Sequence, residues 1–159
     1  IHPLLSGHDD HLRDWADALS APGSSSGWDI SPTGKATLLK RDDPHKLDLY
    51  YPTTKGEVYR SFQLSHEGNS LSCREQLPDD DLCLRLHLPN STQVTLQDGA
   101  AKIHLADHLT AVLEVEDADL SVEESVDCWQ GYNITKSRQL VISPHQLDIR
   151  WHIKWLHTI

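Results

Sequence analysis

Apolar and polar residues alternate with a period of two from Leu82 to Val122. Leu82, Leu84, Leu86 and Leu88 interleave with Cys83, Arg85 and His87, and the pattern continues through Val94 and Leu96, Ile103 and Leu105, Val112 or Leu113 with Val115, and Leu120 with Val122. Successive side chains of an extended chain point to opposite faces, so the alternation predicts short strands, each buried on one face. Pro89-Asn90, Asp98-Gly99 and the acidic residues around Asp117 interrupt it with residue types that turns favour and strand interiors reject. Short consecutive strands of this kind stack as rungs of a β-solenoid or fold back as hairpins of an antiparallel β-sandwich.

The flanking sequence extends this picture. Residues 35–39 and 46–51 read as strands separated by the turn formers Asp42, Asp43 and Pro44, and residues 57–64 are expected to pair with 70–74 through Glu67, Gly68 and Asn69. Further strands are expected over 126–134 and 139–142. The last segment sets Leu147, Ile149, Trp151, Ile153 and Trp155 on one face and Asp148, Arg150, His152 and Lys154 on the other. Its aromatic face is expected to close one end of the stack. Near the N-terminus, Leu12, Trp15, Ala16 and Leu19 fall at helical spacing behind Asp9 and Asp10, which suit a helix N-terminus. The Gly/Ser-rich stretch 21–27 then reads as a linker. The expected organisation is therefore a short helix and linker over residues 1–27 and a single β-rich domain over 28–159, mainly β overall.

Composition narrows the partners. Only 38% of the 159 residues are apolar, so the core must be thin and sheet-shaped. The net charge of −10 comes from acidic residues spread among strands and turns. Nucleic acid and anionic membrane surfaces, which call for clustered Lys and Arg, are thereby poor direct partners, whereas basic proteins, cations or simple solubility match the charge better. No apolar run reaches the roughly 18 residues of a spanning helix. The chain opens Ile1-His2-Pro3 and contains no Met, which suggests a processed piece whose targeting segment lay upstream. Asn90 and Asn133 begin Asn-X-Ser/Thr sequons, which matter only in a eukaryotic secretory pathway.

The order of features between Leu64 and Val122 resembles the DUF4097-like, adhesin-like β-repeat proteins of the bacterial envelope. The matching pieces are His66–Leu71 with its Gly68-Asn69 turn, Leu84–Asn90 ending in Leu88-Pro89-Asn90, Val94–Gly99, Lys102–Leu105, Leu113–Val115 and Leu120–Val122. The Gly-rich rungs usual in that family are missing, since only Gly99 and Gly131 follow Gly68. The resemblance implies a right-handed solenoid or stacked antiparallel β structure at the cell envelope, and it carries no catalytic residues across.

Chemistry is sparse. Among the eleven histidines, His8 and His11 with Asp14 have the i, i+3 spacing that brings imidazoles and a carboxylate together on a helix, a candidate Zn or Cu site, although helix capping also accounts for acidic residues there. His87, His104 and His152 fall on polar strand faces, where adjacent rungs would stack His87 on His104. Gly23 to Gly27 has the letters of a nucleophile elbow but no preceding strand, and Glu114 and Glu116 read as one solvated strand face. No catalytic or cofactor-binding residue is assigned and no cofactor is implied. Three cysteines cannot all pair within one chain; Cys73 and Cys83 flank a turn-like segment and are a candidate disulfide, while Cys128 reads as a small buried hydrophobe. Trp129, Tyr132, Trp151 and Trp155 supply either the core or an exposed platform for a protein or glycan.

These readings favour a non-enzymatic β scaffold of the bacterial envelope, periplasm or exterior, with a structural or adhesin-like role toward a protein or surface glycan. An acidic intracellular inhibitor or immunity-type protein directed at a basic partner is the first alternative, and a hydrolase or metal-dependent enzyme assembled from distant residues is the second.

Overall fold

The computed structural model describes the backbone of residues 27–28, 33–39, 42–130 and 133–157, and the side chains of 33–39, 42–124 and 136–157. The expected helix over 9–19 and the linker lie outside these residues. Among the described residues the structure is β throughout, with twelve strands: β1 (Gly27–Trp28), β2 (Thr37–Leu38), β3 (Lys46–Thr53), β4 (Gly56–Leu64), β5 (Ser70–Gln76), β6 (Leu84–Pro89), β7 (Gln93–Gln97), β8 (Ala100–Ala106), β9 (Leu109–Glu116), β10 (Ala118–Gln130), β11 (Asn133–Pro144) and β12 (Asp148–His157). They form a four-stranded sheet in the order β1-β6-β11-β10 and an eight-stranded sheet in the order β2-β3-β4-β5-β12-β9-β8-β7.

Every strand pair is antiparallel. A solenoid stacks parallel rungs, so this chain resolves the choice left by the alternation in favour of antiparallel hairpins on two facing sheets. Tight turns supply the local connections. Gln97 pairs with Ala100 across Asp98 and Gly99, whose φ values of 48° and 78° are the left-handed pair a type I′ hairpin requires.

The order of β12 departs from expectation. The strand that reads as a terminal cap lies in the middle of the larger sheet, pairing with β5 on one side and β9 on the other. It therefore joins two antiparallel meanders, β2–β5 and β7–β9, that do not touch in sequence. Its core-facing Ile149 and Trp151 are buried, Ile153 and Trp155 partly so. Of the two readings of Trp151 and Trp155, core or exposed platform, both residues take the core-facing one. Trp129 is placed only as a backbone position in β10, and Tyr132 lies outside the described residues.

The core lies between the sheets. From the larger sheet come Val58, Cys73, Ala101, Ile103, Ala111, Leu113, Ile149 and Trp151; from the smaller come Leu84, Leu140 and Ile142, with Leu77 and Leu82 in the crossover. Removing these aliphatic side chains from water is the dominant stabilising term. The alternation places Leu113 and Val115 inward, with Val112 on the other face. It fails at the β7–β8 end of the larger sheet, where Leu96 and Leu105 remain 43% and 45% exposed, Leu105 lying at the register irregularity between His104 and Ala106.

Cys73 and Cys83 do not face each other across a hairpin. β5 and β6 belong to different sheets, and residues 77–83 cross between them. Cys73 points into the core, opposite Phe62 and Trp151 in register, whereas Cys83 lies 3.6 Å from the Ser143 hydroxyl. No disulfide joins them. The crossover is fixed by other means: the Leu77 amide donates to the Leu147 carbonyl at 2.7 Å, Lys55 meets Asp79 at 3.1 Å, and a Cβ on Gly56 would lie 2.8 Å from the Pro78 Cβ. The proposed stack of His87 on His104 is also absent, because β6 and β8 lie in different sheets.

Candidate functional site

Register determines which polar side chains meet. Across the outer face of the larger sheet, directly opposed residues form rows: Asp48, Ser61, Arg74, Arg150 and Glu116 in one, and Lys46, Gln63, Ser72, His152, Glu114 and Ala100 in the next. Each is the outward member of its strand's alternation, and adjacent strands hold them about 4.8 Å apart. Between β4 and β8 the rows bound an open trough of about 770 Å³, with Asp98 and Gly99 of the β7–β8 turn at one rim. This lies in the volume range of small-molecule sites, though its lining is far more polar than most.

One flank of the trough is already committed. Arg74 Nε donates to both carboxylate oxygens of Asp148 at 3.0 and 3.2 Å, and these bonds hold Asp148 below the usual carboxylate range. Partial burial opposes the charge on Asp48, yet hydrogen bonds from Ser61 and Tyr59 and the charge of Lys46 outweigh it and lower its pKa. The centre is different. Among the described residues, no hydrogen bond or ion pair within 4 Å engages the side chains of Arg150, Glu114 or Glu116, although Arg150 stands opposite Glu116 in register and His152 opposite Glu114. A guanidinium fork and two carboxylates thus face the trough with their hydrogen-bonding capacity open, beside an imidazole whose Nδ1 lies 2.9 Å from Ser72 Oγ.

Ser72 Oγ lies 2.9 Å from His152 Nδ1. A serine beside a histidine invites an acyl-transfer reading, but β5 is paired on both sides, with β4 and β12. Its amides are therefore spent on the sheet ladder, leaving no convergent N–H pair for an oxyanion. The contact is a cross-strand hydrogen bond that orients the imidazole.

The opposite, inner face carries a buried ion pair. Arg60 and Glu75 stand opposite each other on β4 and β5. Arg60 donates from Nε to Oε2 at 2.9 Å and from Nη2 to Oε1 at 2.7 Å, and Trp151 Nε1 donates to Oε1 at 3.0 Å. The Glu75 side chain is fully buried and the Arg60 side chain 12% exposed. Burial opposes the charge on Arg60, but the Glu75 carboxylate more than offsets it and raises the guanidinium pKa. The Arg60 guanidinium also sits 5.0 Å above the Phe62 ring. Burial pushes the Tyr51 phenol up to about 12, with Glu75 adding to the shift and Arg60 opposing it. With two charges neutralising each other in the core, this cluster is structural.

On the smaller sheet, His87 Nδ1 lies 2.9 Å from Ser137 Oγ, and Gln139 bridges His87 and Arg85 at 3.2 Å to each. Asp79, Asp80 and Asp81 bring their carboxylates within 4.8 Å of one another. Asp79 accepts from the Asp81 amide and pairs with Lys55, the bonding of a folded acidic turn. The sequence candidates His8, His11 and Asp14 lie outside the described residues. Of the polar-face residues noted in sequence, His152, Glu114, Glu116 and Arg150 are brought together here, while His87 and His104 are separated. Ser61, Gln63, Ser72 and Arg74 carried no signal beyond their parity.

Fold and site thus define an antiparallel β-sandwich with a polar trough on one outer sheet face. No family model, curated protein or solved structure matches this chain. No helix among the described residues is long and apolar enough to cross a membrane.

Proposed function

We propose that the chain is a non-catalytic binding module of the bacterial envelope or exterior, and that the trough of its larger sheet takes a neutral surface glycan. The observation that carries this reading is the balance of groups in the trough: Arg150 as donor, Glu114 and Glu116 as acceptors, and the His152 ring nitrogen not engaged by Ser72, which donates or accepts according to its tautomer, on a chain whose net charge is −10. Carboxylates at the centre repel phosphate and sulfate, and Arg150 repels a bare cation. A sugar hydroxyl both donates and accepts, so a polyol satisfies all four side chains without bringing an unbalanced charge. The open, shallow form of the trough suits an extended chain crossing several strands.

Screening against neutral oligosaccharides, followed by calorimetry, tests the reading. Binding to at least one class of neutral glycan is expected, weakened at least about tenfold by Arg150→Ala or Glu114→Ala, as when one charged hydrogen-bond partner is removed. Both residues are exposed, so melting should hardly change. A glycan bound equally well by both variants, or selective capture of anionic glycans alone, would overturn the assignment.

A further inference from the structure

Sheet edges are templates for pairing, and among the described residues this sandwich protects its edges unequally. β1 and β2 are only two residues long. β10 is broken by a register irregularity between Glu123 and Val126 and carries Asp119, Glu123 and Glu124. β7 has none of these protections. Its five residues, Gln93, Val94, Thr95, Leu96 and Gln97, include no charge, no proline and no irregularity, and their other side is paired regularly with β8. All but Val94 are exposed, and Leu96 on its apolar face is 43% exposed.

We propose that β7 is a homodimerisation edge, pairing antiparallel with β7 of a second copy about a two-fold axis at Thr95. That register is self-complementary. It sets Gln93 opposite Gln97, Thr95 opposite Thr95, and Val94 opposite Leu96, so each copy's exposed Leu96 gains an apolar neighbour on the inner face. A second copy suits this edge because the uncharged strand matches itself at every position, whereas a charged peptide would find no counter-charge there.

Pairing also affects the outer face. A second depression of about 340 Å³, lined by Thr95, Gln97, Lys102 and Val112, shares Asp98, Ala100 and Glu114 with the trough and runs out to β7. A two-fold at Thr95 abuts it with its symmetry mate, making one polar surface across two larger sheets. The dimer would thus be bivalent, a consequence that rests on the glycan reading; the pairing itself does not.

An interface of one short strand falls well below the roughly 1,200 Å² of a standard specific complex. Each copy also carries a net charge of −10, which opposes association. The dimer is therefore weak and strengthened by salt, which screens that repulsion over a Debye length of about 10 Å at 0.1 M.

Sedimentation velocity from micromolar to millimolar protein, at low and moderate salt, tests the pairing. The expected result is a monomer–dimer equilibrium that shifts toward dimer with salt. Leu96→Lys, which brings a charge to the interface and lies outside the trough lining, should weaken it at least about tenfold while the melting temperature holds. Leu38→Lys on the opposite edge should leave it unchanged.

Register is tested by oxidative cross-linking. Thr95→Cys should give a disulfide dimer on mild oxidation beyond any wild-type background, and Gln97→Cys alone should not, because its opposite number is Gln93. A monomer at every concentration without a Thr95→Cys cross-link, or a dimer indifferent to Leu96→Lys, overturns the proposal. If the dimer forms and no neutral glycan binds, the edge stands and the glycan reading falls; glycan binding by a strict monomer gives the reverse.

Discussion

Trp151 donates its indole N–H to Glu75 Oε1 at 3.0 Å, tying the central strand β12 to the buried carboxylate of β5. The bond spans the seam between the two meanders of the larger sheet, and Arg60 completes it from β4 through two further bonds to the same carboxylate. A fully buried Glu is tolerable here because donors such as these meet its charge.

Glu75→Ala should therefore cost about 3–5 kcal/mol, since it strands the Arg60 guanidinium in the core. The apolar double replacement Arg60→Met with Glu75→Leu should recover the part of that loss due to the stranded charge, because no buried charge remains, while the Trp151 N–H lacks its acceptor in both variants. Urea midpoints of wild type, single and double variants decide it; a double variant as unstable as Glu75→Ala would mean that the ion pair itself is required.

Tyr51 gives the alkaline limb of stability a definite sign. Its folded pKa is pushed up to about 12, against about 10 in the unfolded chain. Between those values the unfolded state releases the phenolic proton first, so stability is fully present below about pH 10 and falls toward pH 12, by on the order of 2 to 3 kcal/mol at most. In Tyr51→Phe the alkaline decline should be shallower by about that amount. Denaturant melts between pH 8 and 11.5 compare the two slopes, and parallel slopes would remove Tyr51 from the account.

Ile103 and His104 are adjacent on β8 and face opposite ways, Ile103 3% exposed in the core and His104 in solvent opposite Thr110. Ile103→Asp should cost on the order of 3 kcal/mol or more through an unpaired buried carboxylate and lost apolar burial. His104→Asp should change stability by about 0.5 kcal/mol or less. Equal losses at the two positions would contradict the facing of β8.

Burial pushes the Cys73 thiol well above its usual range, with Glu75 adding to the shift and Arg60 opposing it. Because the thiolate is the reactive form, Cys73 should resist alkylation in the native protein and react on unfolding. Peptide mapping after unfolding without reductant should find both Cys73 and Cys83 alkylated. A linked 73–83 peptide pair would refute the separation of β5 and β6 into two sheets.

Local chemistry determined a good part of this protein. The alternation along Leu147 to Trp155 gives the inner and outer faces of β12, and that from Leu82 to Leu88 gives those of β6, because period-two geometry depends only on the extended backbone. Asp98 and Gly99 specify their own hairpin, because few residues other than Asp, Asn and Gly adopt two successive left-handed conformations cheaply. Partnership was decided elsewhere. Nothing in residues 148–157 says that they will enter between β5 and β9, and nothing near Leu77 says that the chain will change sheets there. Leu96 and Leu105 show the same boundary from the other side: their pattern is that of core residues, but both stay exposed, Leu96 on the edge strand β7 and Leu105 at the irregularity between His104 and Ala106. The trough is legible only once register is known, since Ser72, Glu114, Arg150 and His152 come from β5, β9 and β12 and share no sequence spacing. Alternation fixes the face on which a side chain lies; its neighbours on that face depend on which strands pair, a choice made by the burial and hydrogen bonding of the whole sandwich at once.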